Sequence, residues 1–456
     1  MILERVTVTN AEGVAVAAAA RRRLVLISYH FPSDGAVGGL RWAGLTKYLA
    51  RLGWRSWVLT AAPPAPDHLI DGVVVESWPR RRTLNDVYRT IRARGAANTS
   101  APSTSSAGGE PRTGRSEGLV ARLRLEAAML LALPDHGRGW ILRCAARARS
   151  LIRRVQPKVV VSSGPPHSAH FATWLATRGL GVPWLVDLRD TWTGLTSEAW
   201  RDSPLYRSRV ARGTQNKLER LVARYATAFS ANSEWLADAL AARYPHLAVH
   251  WVPNGVDREL LPSASADPFR GVGIVYTGAL FGWRNLEPVL RALRSFLDRH
   301  PEAEARESKL RVAGALDAAQ VSSLRATAAS LGVSSHVEVL GLLPRHEALG
   351  LLARSRLAVV LAQGQVVEVP AKLYEPVGMG IPCVVLAPAE SAPAAEAMRL
   401  GAKWVGPNDH EALARLLEDV WAGRVRVGSG LSPAGDYDTV ARQVSQLLSE
   451  LADGAS

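Results

Sequence analysis

The sequence predicts an α/β protein of two domains, each built around a parallel sheet with helices on both faces. Its 456 residues exceed what one hydrophobic core supports, so two domains of roughly 200 residues each are expected. Short continuous apolar runs alternate with helix-like spacing along the chain, the pattern of strands buried on both sides. One βαβ unit is legible whole between residues 356 and 386. It comprises an apolar run at 357–361, a loop, a short helix opened by Pro370, a Gly378-Met379-Gly380 turn and a second apolar run at 383–386. Pro370 suits a first helical position, where its missing N–H would have lacked a partner anyway.

In chain order, residues 1–20 are expected to be a disordered lead. They carry Glu4 and Glu12 and only a short apolar run, unlike a signal peptide or a spanning helix. The run at 24–28 is the first expected strand, followed by a loop through Gly38 and Gly39 and a helical pattern to Leu52. Strands are expected next at 57–60 and 73–77. Residues 93–117 are rich in Ser, Ala, Gly and Pro without apolar periodicity and read as a disordered insertion. Residues 118–155 regain helical spacing with many arginines. They read either as a basic amphipathic surface on a membrane or as two ordinary helices around a loop. Strands at 159–161, 184–186 and 228–232, the last its final strand, complete a first domain, 21–256. The turn signal Pro253-Asn254-Gly255 marks its end. Strands at 273–278, 310–314, 337–340, 357–361 and 383–386 build a second domain, 257–435, and a helical pattern at 438–451 falls in a final segment, 436–456.

The net charge of +14 is unevenly placed: residues 1–250 hold 35 Lys and Arg against 18 Asp and Glu, and residues 251–456 hold 20 against 23. Such asymmetry points to an anionic partner for the first domain, a membrane surface among them, or to arginine usage on solvated helix faces. Nucleic acid is disfavoured as that partner, because no clustered basic stripe interleaves with stacking aromatics in the sequence. Cys144 and Cys383 fit no metal spacing and nothing argues for an oxidising compartment, so a cytoplasmic protein is expected. Neither G-x-G-x-x-G nor a P-loop follows the first strand, which counts against dehydrogenases and NTPases.

Ligands of open α/β sheets sit beyond the carboxyl ends of the strands, near helix N-termini that favour phosphate. At such places the sequence puts Gly38 and Gly39, whose bare backbone can approach a phosphate, and His167 in the loop 162–168. It also puts Asp187, Arg189 and Asp190 at a strand exit, where charges are costly unless they pair or bind something. Gly278 and Arg284 form a glycine-rich turn followed by a cation that can grip two phosphate oxygens. Glu375 is either a solvated helix residue or a carboxylate accepting both hydroxyls of a ribose.

Pro370-Ala371-Lys372-Leu373-Tyr374-Glu375 followed by Gly378-Met379-Gly380-Ile381-Pro382 resembles the nucleotide-sugar signature of retaining GT-B glycosyltransferases of family 4. The resemblance implies two Rossmann-like doubly wound domains facing across a cleft, with the final helix packing back across it. It implies that Glu375 holds the donor ribose. A second family glutamate, eight residues earlier, contacts the donor sugar; here that position is Val367, and Glu368 stands one residue late. Gly38, Gly39, Gly278, Lys372 and Leu373 would complete the donor site, with Arg284 and Lys372 on the diphosphate. His167 and Asp190 would stand near the reacting centre and Arg41 and Trp192 on the acceptor side. The reaction implied is sugar transfer with retention, without cofactor, metal or protein nucleophile. The acceptor would be a glycan, a glycolipid or a small hydroxyl compound, at or near the inner face of a bacterial membrane. A sugar-nucleotide epimerase of the same shape, and a non-catalytic sugar-nucleotide binder, are the competing readings.

Overall fold

The computed structural model describes residues 22–31, 37–63, 70–81, 126–129, 133–193, 207–280, 284–302, 305–425 and 435–454. The lead at 1–20 and the insertion at 93–117 lie outside them. The first domain runs β1 (Arg22–Ser28), α1 (Val37–Arg51), β2 (Trp54–Thr60), β3 (Val73–Ser77), α2 (Ile141–Val155), β4 (Val159–Gly164), α3 (Ser168–Thr177), β5 (Trp184–Leu188), α4 (Arg209–Tyr225), β6 (Ala228–Ala231), α5 (Glu234–Arg243) and β7 (Ala248–Trp251). Its strands pair in parallel in the order β3-β2-β1-β4-β5-β6-β7. The second runs β8 (Gly273–Thr277), α6 (Glu287–Arg299), β9 (Lys309–Ala313), α7 (Ala318–Ser330), β10 (Val337–Gly341), α8 (Arg345–Ala353), β11 (Leu357–Leu361), α9 (Tyr374–Gly378), β12 (Cys383–Leu386), α10 (Ala392–Arg399), β13 (Lys403–Val405) and α11 (His410–Trp421). It too is parallel, in the order β10-β9-β8-β11-β12-β13. The last helix is α12 (Tyr437–Asp453).

Each sheet is covered on both faces, as its continuous apolar strands require. Along β1, Val25 and Ile27 join one core while Leu24 and Leu26 join the other, the two-residue alternation of a pleated strand. Along β11, Leu357, Val359 and Leu361 face one core and Ala358 and Val360 the other. Strand order reverses between β1 and β4 in the first sheet and between β8 and β11 in the second. Crevices for ligands open at the carboxyl ends of such pairs.

Two edge strands were not legible in sequence. β7 follows β6, so 228–232 is not the final strand of the first sheet, and β13 closes the second. Both are short and partly solvent-facing, and neither shows an apolar run. Pro370 stands one place before helical geometry, as the cap of a 3-10 turn Ala371–Leu373, and α9 follows that turn.

The chain passes between the domains twice. After β7 it leaves through 252–257, where the Arg41 guanidinium donates to the Val252 and Pro253 carbonyls and to Asn254 Oδ1. It returns as α12, whose Tyr437, Val440, Val444 and Leu448 share a core with Leu24, Val161 and Leu45 of the first domain. Trp54 Nε1 donates to Ser445 Oγ at 2.9 Å across this contact.

Candidate active site

The carboxyl ends of β8 and β11 carry the residues with the most unusual environments. Thr277 leads to Gly278, and Gly314 lies so close beneath it that a Cβ there would sit 1.7 Å from the Gly278 carbonyl oxygen. The Lys372 side chain runs alongside Gly278, and among the described residues no carboxylate pairs with its ammonium. Arg284 follows on the way into α6. Its Nη2 donates to Gln365 Oε1 at 2.7 Å, while Nε is buried without an acceptor. Gln363, at the end of β11, grips the neighbouring backbone twice, accepting from Asn285 N at 2.9 Å and donating to Asn285 O at 3.1 Å. Desolvation draws the Arg284 pKa below the usual guanidinium range, opposed by Tyr276, Asp190 and Glu368.

Glu368 is 3% exposed and reaches the other domain: its Oε1 accepts from Thr191 Oγ1 at 2.6 Å. Its Oε2 is buried with no hydrogen-bond partner. Burial pushes this carboxyl up, the Thr191 hydroxyl opposes that shift, and Asp190 adds to it. One residue earlier, the Val367 carbonyl accepts from the Ser233 hydroxyl and its side chain packs on the first domain's core. The loop after β11 therefore touches both domains. Asp190 is open to the cleft between them, yet enclosed enough that desolvation pushes its carboxyl up against the pull of Arg189 and Arg284.

Glu375 is the second residue of α9 and 9% exposed. Its Oε1 takes a 2.6 Å ion pair from Arg345 at the start of α8. On the first domain, His167 precedes α3 and is stacked on Trp192 with ring centres 4.4 Å apart. Its Nδ1 is buried and unpartnered. The start of α3 is capped from outside the helix, since Asp135 Oδ2 accepts from Ser168 N at 2.9 Å and Oδ1 accepts from the Ser168 hydroxyl.

Comparison with solved structures finds the same two-domain fold elsewhere. Sucrose-phosphate synthase of Thermosynechococcus elongatus superposes with a TM-score of 0.61 at 15% identity, covering 96% of this chain and 100% of that one. Anabaena Alr3699/HepE in complex with UDP gives 0.57 at 16%, covering 94% and 100%. A glycosyltransferase of Rickettsia africae gives 0.59 at 12%, covering 94% and 98%. At these identities the likeness is one of fold. The comparison with curated proteins yields no match. In sequence, the model of Glycosyltransferase Family 4 matches residues 104–260, and that of Glycosyl transferases group 1 matches residues 269–425. The chain belongs to the family 4-type GT-B glycosyltransferases.

Several residues expected at the site of this glycosyltransferase serve its scaffold instead. Arg41, expected on the acceptor side, is 3% exposed, and its terminal nitrogens are spent on Asp187 at 3.1 Å and on the chain at 252–254. Asp187 thus pairs with Arg41 and not with Arg189, which donates to the carbonyls of Gly164 and Pro165. Trp192, also expected on the acceptor side, is 7% exposed; it backs His167 and donates from Nε1 to Gln215 at 2.7 Å. Leu373 is fully buried in the core, so its side chain cannot touch a donor. Gly38 and Gly39 lie in the first turn of α1, and a Cβ at Gly38 would fall 2.2 Å from Arg189 Nη1. That glycine makes room for an arginine of its own chain.

Thr191, Gln363 and Gln365 were not singled out in sequence, whereas the helix entry at Pro344-Arg345, which the family resemblance puts near the nucleotide base, was. The Gln363-Gly364-Gln365 triplet directly after an apolar strand was the one available signal, since amides there lie at the carboxyl edge of the sheet.

The first domain of this glycosyltransferase also buries imidazoles. His170 is fully buried with Nδ1 on Ser162 Oγ at 2.8 Å, and desolvation pulls its pKa down to about 3. His167 is lowered for the same reason. In the unfolded chain both take protons near pH 6.5. Below that value the unfolded state binds protons that the folded state refuses, so stability is complete above about pH 6.5 and falls as pH drops towards about 3. Thermal melts across this window are expected to show a declining midpoint, less steep in His170→Gln. An unchanged slope in that variant would assign the acid sensitivity to other groups.

Proposed function

We propose that this glycosyltransferase moves a sugar from a nucleotide-diphospho-sugar to a hydroxyl of a glycan, glycolipid or small-molecule acceptor, with retention, in bacterial cell-surface polysaccharide or glycolipid assembly. The buried, unpartnered Glu368 Oε2 carries this reading, because it lies in one cleft with the orphaned Arg284 Nε and with Asp190. A carboxylate oxygen and a guanidinium N–H left without partners are expensive unless a ligand satisfies both. Sugar hydroxyls donate to the first, and phosphate oxygens accept from the second. In this scheme Glu375 holds the ribose, Arg284 and Lys372 face the diphosphate, and His167 and Asp190 border the acceptor. Two cations then supply the positive charge for the leaving group without a divalent ion. Alr3699/HepE, whose structures hold UDP, UDP-glucose, and UDP with glucose, supports a nucleotide-sugar donor.

Thermal shift against UDP-, GDP- and dTDP-sugars tests the donor site. A ligand at ~100 times its Kd should add ~2.7 kcal/mol of stability. The expected result is a clear shift with one nucleotide class, absent in Glu375→Ala. Equal shifts in both proteins would count against the ribose role. Transfer to an acceptor, with the anomeric configuration of the product read by NMR, tests retention. Turnover of donor without any acceptor would favour an epimerase.

A further inference from the structure

We propose that the outer face of α4, with the aromatic row of α3 beside it, is a docking surface for an anionic phospholipid membrane. Between Arg209 and Tyr225 the only acidic residue is Glu219, which is 1% exposed and turned inward to Arg243 and Tyr244. Arg209, Arg212, Lys217, Arg220 and Arg224 all point to solvent. Among the described residues none of these five side chains is paired with a carboxylate; Glu126 caps the helix start, accepting from the backbone N–H groups of Arg209 and Val210. Several arginines on other helices are paired, Arg51 with Glu259, Arg291 with Glu287, Arg294 with Asp298, Arg299 with Glu411 and Arg442 with Asp438, whereas Arg153, Arg325 and Arg415 stand singly on theirs, not in a row of five. Among the described residues, α4 thus presents five solvent-facing cations in one strip, with one carboxylate, Glu126, at its start.

Apolar groups interrupt this strip. Val210 is 40% exposed and Tyr225 52%. Tyr225 continues a row of rings, 6.0 Å from Trp174, which is 5.1 Å from Phe171, and the Arg178 guanidinium lies 5.0 Å over Trp174. Cations that attract phosphate headgroups, alternating with rings and a valine that enter the headgroup region, suit a lipid interface. No helix among the described residues is long and apolar enough to cross a membrane, so contact here lies along the surface. The inner side of the same helix holds the exit of β5, through Gln215 to Trp192 and Glu219 to Thr193.

Sedimentation with vesicles of phosphatidylcholine, with and without about one third phosphatidylglycerol, tests the surface. The full-length protein is expected to bind only the anionic vesicles. The triple variant Arg212→Gln/Lys217→Gln/Arg220→Gln is expected to lose on the order of 100-fold in partition, and Tyr225→Ala a smaller factor. The control Arg291→Gln/Arg294→Gln/Arg299→Gln, from paired arginines, should bind as the parent does. Each variant's melting midpoint, and its shift with a sugar nucleotide, checks that folding and the donor site are intact, so the outcome is separable from the proposed transfer. Unchanged partition of a folded α4 triple variant overturns the proposal. So does salt-sensitive binding to single-stranded polynucleotide, lost in that variant, with no binding to vesicles.

Discussion

Arg284→Ala is expected to lower kcat for sugar transfer by about 30- to 1000-fold, the rate equivalent of ~2–4 kcal/mol of lost transition-state stabilisation. The side chain is half-buried, so its charge acts where water screens poorly. One terminal nitrogen is fixed on Gln365, and that glutamine sits two residues after Gln363, which clamps the Asn285 backbone. The guanidinium is thus held before any ligand arrives, which is what an electrostatic role at a leaving diphosphate requires. On the proposed reading the loss should fall mainly on kcat, since negative charge would grow on a donor diphosphate as its bond to the sugar breaks. Arg284→Lys retains a point charge without the fork and should lie between the two. Gln365→Leu leaves the charge but frees its orientation, and a drop smaller than that of Arg284→Ala is expected. A kcat within threefold of the parent in Arg284→Ala, about 0.7 kcal/mol, would remove this arginine from the chemistry.

Asp187→Asn is expected to destabilise the protein by about 3–5 kcal/mol, the usual result of breaking a buried ion pair from one side. Asp187 is fully buried and accepts from Arg41, Trp42 Nε1, Ser163 and Ser230 at 3.1, 2.7, 2.8 and 3.0 Å. Desolvation alone would push its carboxyl up, but Arg41, Trp42 and Ser163 outweigh it and hold the group below the usual carboxylate range. Its stabilisation is therefore present at neutral pH and lost as pH falls through that lowered value. The asparagine keeps the shape but leaves the Arg41 charge buried and uncompensated. Urea unfolding should show the loss as a lower midpoint, and Arg41→Met/Asp187→Leu should lose less than the sum of the single changes. An additive double variant would mean that the pair acts as two independent packing groups.

What the sequence showed and what it hid separate by range. Buried parallel strands announce themselves as apolar runs, and so β1, β4, β8 and β11 were legible with small errors at their ends. Arg284, Glu368 and Glu375 stood out because strand, loop and helix follow one another within a few residues. The roles of Arg41 and Asp187 were hidden because they lie 146 positions apart and meet only when α1 packs beside β5. A buried arginine and an exposed one look the same in a list of residues. The cationic face of α4 was hidden for a related reason: its one carboxylate, Glu219, counts towards neutrality in sequence but is turned into the interior.

The path of α12 sets an order on synthesis. One side of the first sheet, with Leu24, Leu26, Val159 and Val161, is completed by Val440, Val444 and Leu448, which are translated only after the second domain. Until then α1 alone, through Trp42, Leu45 and Leu49, covers part of that apolar face, and the first domain emerges with the rest of it open, prone to sticking to its neighbours. Translation of the second domain is the interval over which a chaperone has reason to stay.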